Sequence, residues 1–153
     1  MNEHMKQSCS DYLMEAFKGK ERREMVARAK KILKNLDFDA IAFRGFSGAI
    51  MAPAIADSLK KEIILIRKPS DRQNQNSHAD QMVEGYMGEF NYIIVDDFVS
   101  SGHTVDQIIE GMQRFSPEAK CVGIYLYRRP DEMSDKYEGI PLLNFKKRPE
   151  GRR

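Results

Sequence analysis

The sequence predicts a doubly wound α/β protein with a mostly parallel central sheet and an N-terminal helical segment. Short apolar runs alternate along the chain with segments whose apolar residues recur every three or four positions. The apolar runs hold few polar residues, as strands buried on both faces do. With 153 residues, of which 41% are hydrophobic and 31% charged, the chain suits a single soluble domain. Within it we expect N-terminal helices in residues 1–36, the core in residues 37–130, and a C-terminal strand with a basic tail in residues 131–153.

Two helices are expected at the N-terminus. Apolar residues recur at spacings of three and four from Met5 to Phe17, and Gly19 is placed to end this helix. The same spacing continues from Met25 to Leu36, where the polar face is rich in Arg and Lys. Such a face is typical of a helix side in contact with water.

Five apolar runs of strand length follow the helical segment. They cover residues 40–43, 63–66, 92–95, 122–127 and 142–145. Between the second and third runs, residues 70–79 are polar and without periodicity, which indicates a mobile loop. Strands that alternate with helices at this spacing favour a parallel sheet covered by helices on both faces.

Two helices connect the predicted strands. They are expected at residues 47–59 and 105–115, where apolar residues again recur at helical spacing. A helix accepts proline only near its first turn, so Pro53 predicts a start near residue 49 or 50. Residues 44–48 would then form a loop.

Three predicted strand ends carry charged residues. These are Arg44-Gly45, Arg67-Lys68 and Asp96-Asp97. In an open parallel sheet, ligands bind outside the carboxyl ends of the strands, so these pairs are expected to converge on one site. Such a site would hold an anionic group together with a cation or hydroxyl groups.

The segment after the third of these strands has the chemistry of a sugar-phosphate site. Asp96 and Asp97 repel each other unless they meet hydroxyl groups, a divalent cation or both. The sequence then turns into a helix through Ser100, Ser101, Gly102, His103 and Thr104. Hydroxyl groups and unpaired amides at a helix N-terminus favour a phosphate. Paired acids beside a phosphate cradle match the layout of a ribose 5-phosphate.

Three other interpretations of this segment make different demands on the sequence. The simplest is a capped helix without a ligand, with Ser101 as its N-cap. A nucleotide hydrolase would need a G-x-x-x-x-G-K-[ST] loop, which the sequence does not contain. A phosphoacceptor receiver domain would place its acid cluster nearer the start of the chain. An acid pair at a buried strand end is costly without a ligand, which favours the sugar-phosphate site.

Residues 93–104 resemble the phosphoribosyl pyrophosphate (PRPP) signature of type I phosphoribosyltransferases. The signature is an apolar strand, two acids, two apolar residues, and then hydroxyl, hydroxyl, Gly, any residue and hydroxyl. Phe98 is bulkier than the usual aliphatic residue, and Ser100 replaces the commoner Thr. Residues 43–48 resemble the pyrophosphate loop of the same family, which implies a non-proline cis peptide at Phe43–Arg44.

The resemblance implies a Mg²⁺-dependent pentosyltransferase that transfers ribose 5-phosphate from PRPP to a nitrogenous base. Asp96 and Asp97 would be the catalytic acids and would hold the ribose hydroxyls directly or through Mg²⁺. The 5-phosphate would be bound by Ser100, Ser101, Gly102, His103 and Thr104. Pyrophosphate would be bound by Arg44, Gly45, Arg67 and Lys68. His78 would act from the flexible loop and Arg128 would meet the base.

The acceptor base and the cellular role are less constrained. A purine is favoured, with an orotate-like acceptor close behind, and the N-terminal helices are expected to form the hood over the base. A net charge of +2 makes a nucleic-acid partner unlikely. Even so, the basic tail at residues 146–153 keeps open a PRPP-binding regulator without catalysis. The family resemblance implies a possible homodimer.

No apolar segment is long enough for a membrane span or a secretory signal, and only Cys9 and Cys121 carry thiols, so a cytoplasmic protein is expected.

Overall fold

The computed structural model describes residues 13–68, 83–86, 88–99, 102–128 and 135–143. Its helices are α1 (Met14–Phe17), α2 (Gly19–Leu33), α3 (Gly45–Leu59) and α4 (His103–Phe115). Gly19 was predicted to end the first helix, but it begins the second one, because the chain is extended at Lys18 and turns there. None of the helices in the described parts of the chain is long and apolar enough to cross a membrane.

The central sheet has five strands in the order β3-β2-β1-β4-β5. Their bounds are β1 (Ala40–Phe43), β2 (Glu62–Ile66), β3 (Val83–Gly85), β4 (Asn91–Asp96) and β5 (Lys120–Leu126). All neighbours are parallel except β2 and β3, which are antiparallel. The predicted α/β class and mostly parallel sheet are confirmed.

Helices cover both faces of this sheet. On one face, Ile41 and Ile93 pack against buried residues of α2 and α3. On the other face, Ala42 and Ile94 pack against the buried side of α4. Successive side chains of a strand point to opposite faces, so a strand with helices on both sides must be apolar throughout. This explains why β1 is buried at every position.

Two predictions about the segment after β1 were wrong. The chain is extended at Arg44 and turns sharply at Gly45, whose φ is 71°, so α3 begins there and residues 44–48 are not a loop. Pro53 lies inside α3, whose buried apolar side outweighs the disruption that an interior proline causes. The Phe43–Arg44 peptide bond is trans. The turn at Gly45 already redirects the chain, and a cis bond without proline costs about 3 kcal/mol.

The described C-terminal part begins with a small hairpin, which precedes the segment predicted as the fifth strand. Strands β6 (Lys136–Tyr137) and β7 (Ile140–Pro141) pair antiparallel with each other. The chain then joins the edge of β5, where the amide of Leu143 donates to the carbonyl of Ile124 over 2.8 Å. Residues 144 and 145, also predicted as strand, lie outside the described residues.

Candidate active site

A cavity of about 220 Å³ opens at the carboxyl ends of the parallel strands. It is lined by residues that follow β1, β2 and β4 and by the first turns of α3 and α4. The lining residues are Arg44, Gly45, Phe46, Ser47, Lys68, Asp96, Asp97, Phe98 and Thr104. Each of the three charged strand ends found in the sequence therefore contributes at least one residue to a single cavity.

An acid pair lies at the end of β4. Asp96 is 5% exposed and Asp97 is 7% exposed. Burial, reinforced by the charge of Asp97, raises the pKa of Asp96 to about 7, while Lys68 acts in the opposite direction. A ligand that supplies a cation or hydroxyl donors to this cavity would offset the cost of ionising the pair.

The backbone of the acid pair is fixed from the neighbouring strand. Immediately beyond β5, the amide of Tyr127 donates to the carbonyl of Asp96 over 3.1 Å, and the amide of Arg128 donates to the carbonyl of Asp97 over 2.8 Å. These bonds use the main chain of the two acids. The extended chain pairing therefore fixes the main chain of the acids.

Two basic residues line the cavity, one after the end of β1 and one after the end of β2. Arg44 is 7% exposed, whereas Lys68 is exposed at the surface. A Cβ atom added at Gly45 would lie 3.0 Å from both Cε and Nζ of Lys68. The positive φ of Gly45 explains why the turn needs glycine, and the flexible end of Lys68 would have to shift to admit a side chain. Arg and Lys at one cavity wall favour an anionic ligand.

A second, smaller cavity of about 30 Å³ lies at the N-terminus of α4. Gly102 precedes the helix with a φ of 80°, and the amides of the first helical turn have no partner within the helix. Asp96, Phe98 and Thr104 line both cavities. The acid pair therefore lies between a basic wall and a helix N-terminus, the two kinds of group that bind phosphates.

Sequence comparison identifies the family. A sequence model described as "Phosphoribosyl transferase domain" matches residues 44–140. The chain belongs to this family. Comparison with curated proteins found no match.

Solved structures share the fold of this phosphoribosyl transferase domain. Leishmania donovani UMP synthase is 24% identical, with a TM-score of 0.55 over 69% of this chain and 22% of its own. Adenine phosphoribosyltransferase from Thermoanaerobacter pseudethanolicus is 17% identical, with a TM-score of 0.59 over 73% and 70% of the two chains. Mycobacterium tuberculosis orotate phosphoribosyltransferase, in complex with 5-phospho-α-D-ribosyl 1-diphosphate, is 11% identical, with a TM-score of 0.56 over 72% and 61%. The chain thus spans less than two thirds of two of these three proteins.

Arg67 has a different position from its neighbour Lys68. Its guanidinium forms an ion pair with the carboxylate of Glu84 on β3, with 2.6 Å between Nη2 and Oε1. It is not among the residues that line the described cavity. Side chains alternate along an extended chain, so of two adjacent basic residues only one faces the cavity. The role of Arg67 in pyrophosphate binding stays a prediction.

The remaining predicted residues are placed as follows. His103 is exposed at the start of α4, where its Nε2 atom lies 2.8 Å from Nε2 of Gln107, while Thr104 lines both cavities. Arg128 is exposed, next to the backbone of Asp97. Ser100, Ser101 and His78 lie outside the described residues.

Two aromatic residues near the site were missed in the sequence. Phe46 is 91% exposed on the first turn of α3, although it lines the larger cavity. Tyr127 is buried, and its hydroxyl donates to the carbonyl of Ser47 over 2.6 Å, which ties the end of β5 to the start of α3. Only the position of Tyr127 next to a strand end could have indicated this role, since the contact spans 80 residues.

Proposed function

We propose that this protein transfers the ribose 5-phosphate of PRPP to a nitrogenous base with release of pyrophosphate. The observation that carries the proposal is the single cavity in which Asp96 and Asp97 face Arg44 and Lys68 beside the N-terminus of α4. PRPP has ribose hydroxyls between two phosphate groups, and this cavity offers acids between two anion-binding elements. Membership of the phosphoribosyl transferase domain family supports the same ligand.

In the proposed reaction, a ring nitrogen of the base forms a bond to C1 of the ribose as the bond from C1 to pyrophosphate breaks. The base loses the proton of that nitrogen to solvent, and pyrophosphate leaves with the electron pair of the broken bond. Asp96 and Asp97 would hold the ribose hydroxyls and oppose the positive charge that develops on the ring. Arg44 and Lys68 would stabilise the negative charge of the leaving pyrophosphate. The chain's contribution is therefore position and electrostatics.

The 5-phosphate would be held by the turn before α4. Gly102, His103 and Thr104 offer backbone amides at the start of the helix, and Ser100 and Ser101 would complete the cradle. Gly45 would let the pyrophosphate approach the backbone beside Lys68, and Arg67 and His78 would add positive charge from the second strand and its following loop. These assignments rest on the resemblance of residues 93–104 to the PRPP signature.

The acid pair also suits Mg²⁺. This ion is usually held by one or two carboxylates together with substrate oxygens, so a complete set of protein ligands is not required. Asp96 and Asp97 are buried at the cavity, and burial together with the charge of Asp97 raises the pKa of Asp96, so a cation bound there would favour the ionised pair. When bound, Mg²⁺ would neutralise charge on the pyrophosphate of PRPP.

A purine is the acceptor we propose, as a nucleotide salvage reaction. Arg128 follows β5 at the edge of the site, where a basic side chain can meet an exocyclic oxygen of the base. Phe98 lines the cavity beside the acids and offers an apolar surface to a planar ring. Residues 1–36 would form the hood in a single domain of 153 residues. A homodimer in the cytoplasm is part of the same proposal.

The test is a pyrophosphate-release assay with PRPP, Mg²⁺ and a panel of adenine, guanine, hypoxanthine and orotate. Release with one purine is expected, and it should disappear in the Asp96→Asn/Asp97→Asn variant. Arg128→Ala should raise the KM for the base and leave the KM for PRPP unchanged. Release with orotate alone would refute the purine preference, and near-normal activity of the double variant would refute the site.

A regulatory protein that binds PRPP without catalysis is the second candidate. The observation that favours it is the charge of α2 and its flanks: residues 18–34 hold eight Lys and Arg and two Glu. Binding of PRPP without pyrophosphate release from any base, together with RNA or DNA binding that weakens steeply with salt, would support it. Turnover of a base without such binding would support the enzyme.

A further inference from the structure

The C-terminal hairpin reaches the start of α4. The hydroxyl of Tyr137 on β6 donates to Oδ1 of Asp106 over 3.1 Å. Asp106 is the acidic residue of the first turn of α4 and is exposed, while Tyr137 is half-buried. The hairpin itself is anchored on β5 through the residues that follow it. A side chain from the end of the chain is therefore held against the turn that precedes α4.

The same hydroxyl lies directly over Gly102. A Cβ atom added at Gly102 would overlap the hydroxyl and the ring of Tyr137. Gly102 has a positive φ and is the residue from which α4 starts. Tyr137 therefore contacts both the turn and the one acid in the first helical turn.

The charge of Asp106 matters for an anion at this helix end. A carboxylate in the first turn is attracted to the same unpaired amides and the same partial positive charge that would hold a phosphate. An unrestrained Asp106 would thus repel the phosphate and compete with it. The hydrogen bond from Tyr137 fixes the carboxylate on the side of the hairpin and offsets part of its charge.

We propose that Tyr137 is a positioning residue for the 5-phosphate of PRPP: it packs on Gly102 and holds the Asp106 carboxylate away from the phosphate cradle. This inference rests on the proposed function, because it concerns the same phosphate-binding turn. It assigns to the C-terminal hairpin a role in binding the sugar-phosphate, separate from any contact with the base.

The test compares Tyr137→Phe, Asp106→Asn and the double variant, with Tyr86→Phe as the control. Tyr86 is an exposed tyrosine whose ring contacts Phe90, and it lines neither of the two cavities. Calorimetry measures the Kd of PRPP and of inorganic phosphate for each variant, and steady-state kinetics gives KM and kcat.

We expect Tyr137→Phe to weaken both anions about three- to tenfold, the range that a charge at a helix N-terminus supports. The KM for PRPP should rise by the same factor with kcat within about twofold. Asp106→Asn should bind as tightly as the wild type or tighter, and it should restore binding in the double variant. This rescue separates the proposed role from simple packing, which Asp106→Asn would not restore.

Two results would overturn the inference alone: wild-type affinity in Tyr137→Phe, or a double variant as weak as Tyr137→Phe. A wild-type protein that binds inorganic phosphate but not PRPP would overturn the proposed function, and the phosphate affinities of the variants would still judge the role of Tyr137. A wild-type protein that binds neither anion would overturn both.

Discussion

Replacing Asp96 by Asn is expected to stabilise the ligand-free protein at pH 8 while abolishing transfer. Burial and the neighbouring Asp97 raise the pKa of Asp96 from 3.8 to about 7. At about 1.4 kcal/mol per pKa unit, ionised Asp96 costs the ligand-free fold at most about 4 kcal/mol. Asn keeps the volume and hydrogen-bonding capacity of the side chain and removes the charge, so it removes this cost.

The pH dependence follows from the direction of the pKa change. Because the folded protein holds the proton more tightly than the unfolded chain, this contribution to stability is greatest below pH 3.8 and is lost as the pH rises towards about 7. Asp96→Asn should therefore gain more stability at pH 8 than at pH 5, by at most about 3 kcal/mol. The gain should appear without a change in the dependence of the unfolding free energy on urea concentration.

Urea unfolding followed by circular dichroism at pH 5 and pH 8 measures this difference. Asp57→Asn is the matched control, since Asp57 is an exposed carboxylate on α3. The control should change the unfolding free energy by less than about 0.5 kcal/mol at both pH values. Equal effects of Asp96→Asn at the two pH values, or destabilisation at pH 8, would show that ionisation of Asp96 does not destabilise the folded protein.

Three further predictions concern the same site. Gly45→Ala should raise the KM for PRPP at least about tenfold and lower the free energy of unfolding in urea by about 1 kcal/mol, because Gly45 has a positive φ and the added Cβ would lie against the end of Lys68. Wild-type kinetics in this variant would contradict the prediction. Tyr127→Phe removes the hydrogen bond to the carbonyl of Ser47 and should lower the free energy of unfolding by about 1 kcal/mol in the same assay, with a rise in the KM for PRPP. An unchanged stability would show that this hydrogen bond does not stabilise the start of α3. Chelation of Mg²⁺ should stop pyrophosphate release and added Mg²⁺ should restore it; turnover that persists in excess chelator would exclude a requirement for the ion.

The four main strands could be predicted from the sequence because burial on both faces leaves a local signal. β1 was predicted with the bounds that the structure has, and β2, β4 and β5 were found to within two residues at each end. β3 was missed because it has only three residues, two of them exposed, and pairs at the sheet edge. Its existence depends on β2 and not on its own composition.

The charged strand ends could be found in the sequence, but it was harder to predict which of their side chains face the cavity. Asp96 and Asp97 were found because two acids after an apolar run are unusual. The divergence of Arg67 and Lys68 could not be found, since the ion pair of Arg67 depends on Glu84 from the unpredicted β3. The early start of α3 was missed because the proline rule weighs local geometry, whereas the packing of α3 on the sheet decided the outcome.

Main-chain hydrogen bonds help to explain how the fold tolerates the buried acid pair. The carbonyls of Asp96 and Asp97 accept hydrogen bonds from the amides of Tyr127 and Arg128, which continue the pairing of β4 with β5. The two carbonyls are thus satisfied by main-chain amides of the neighbouring chain segment. Removal of a charge at either position should therefore leave the strand pairing intact. If the acid pair serves to bind the ligand, such a variant should lose transfer activity and keep its fold.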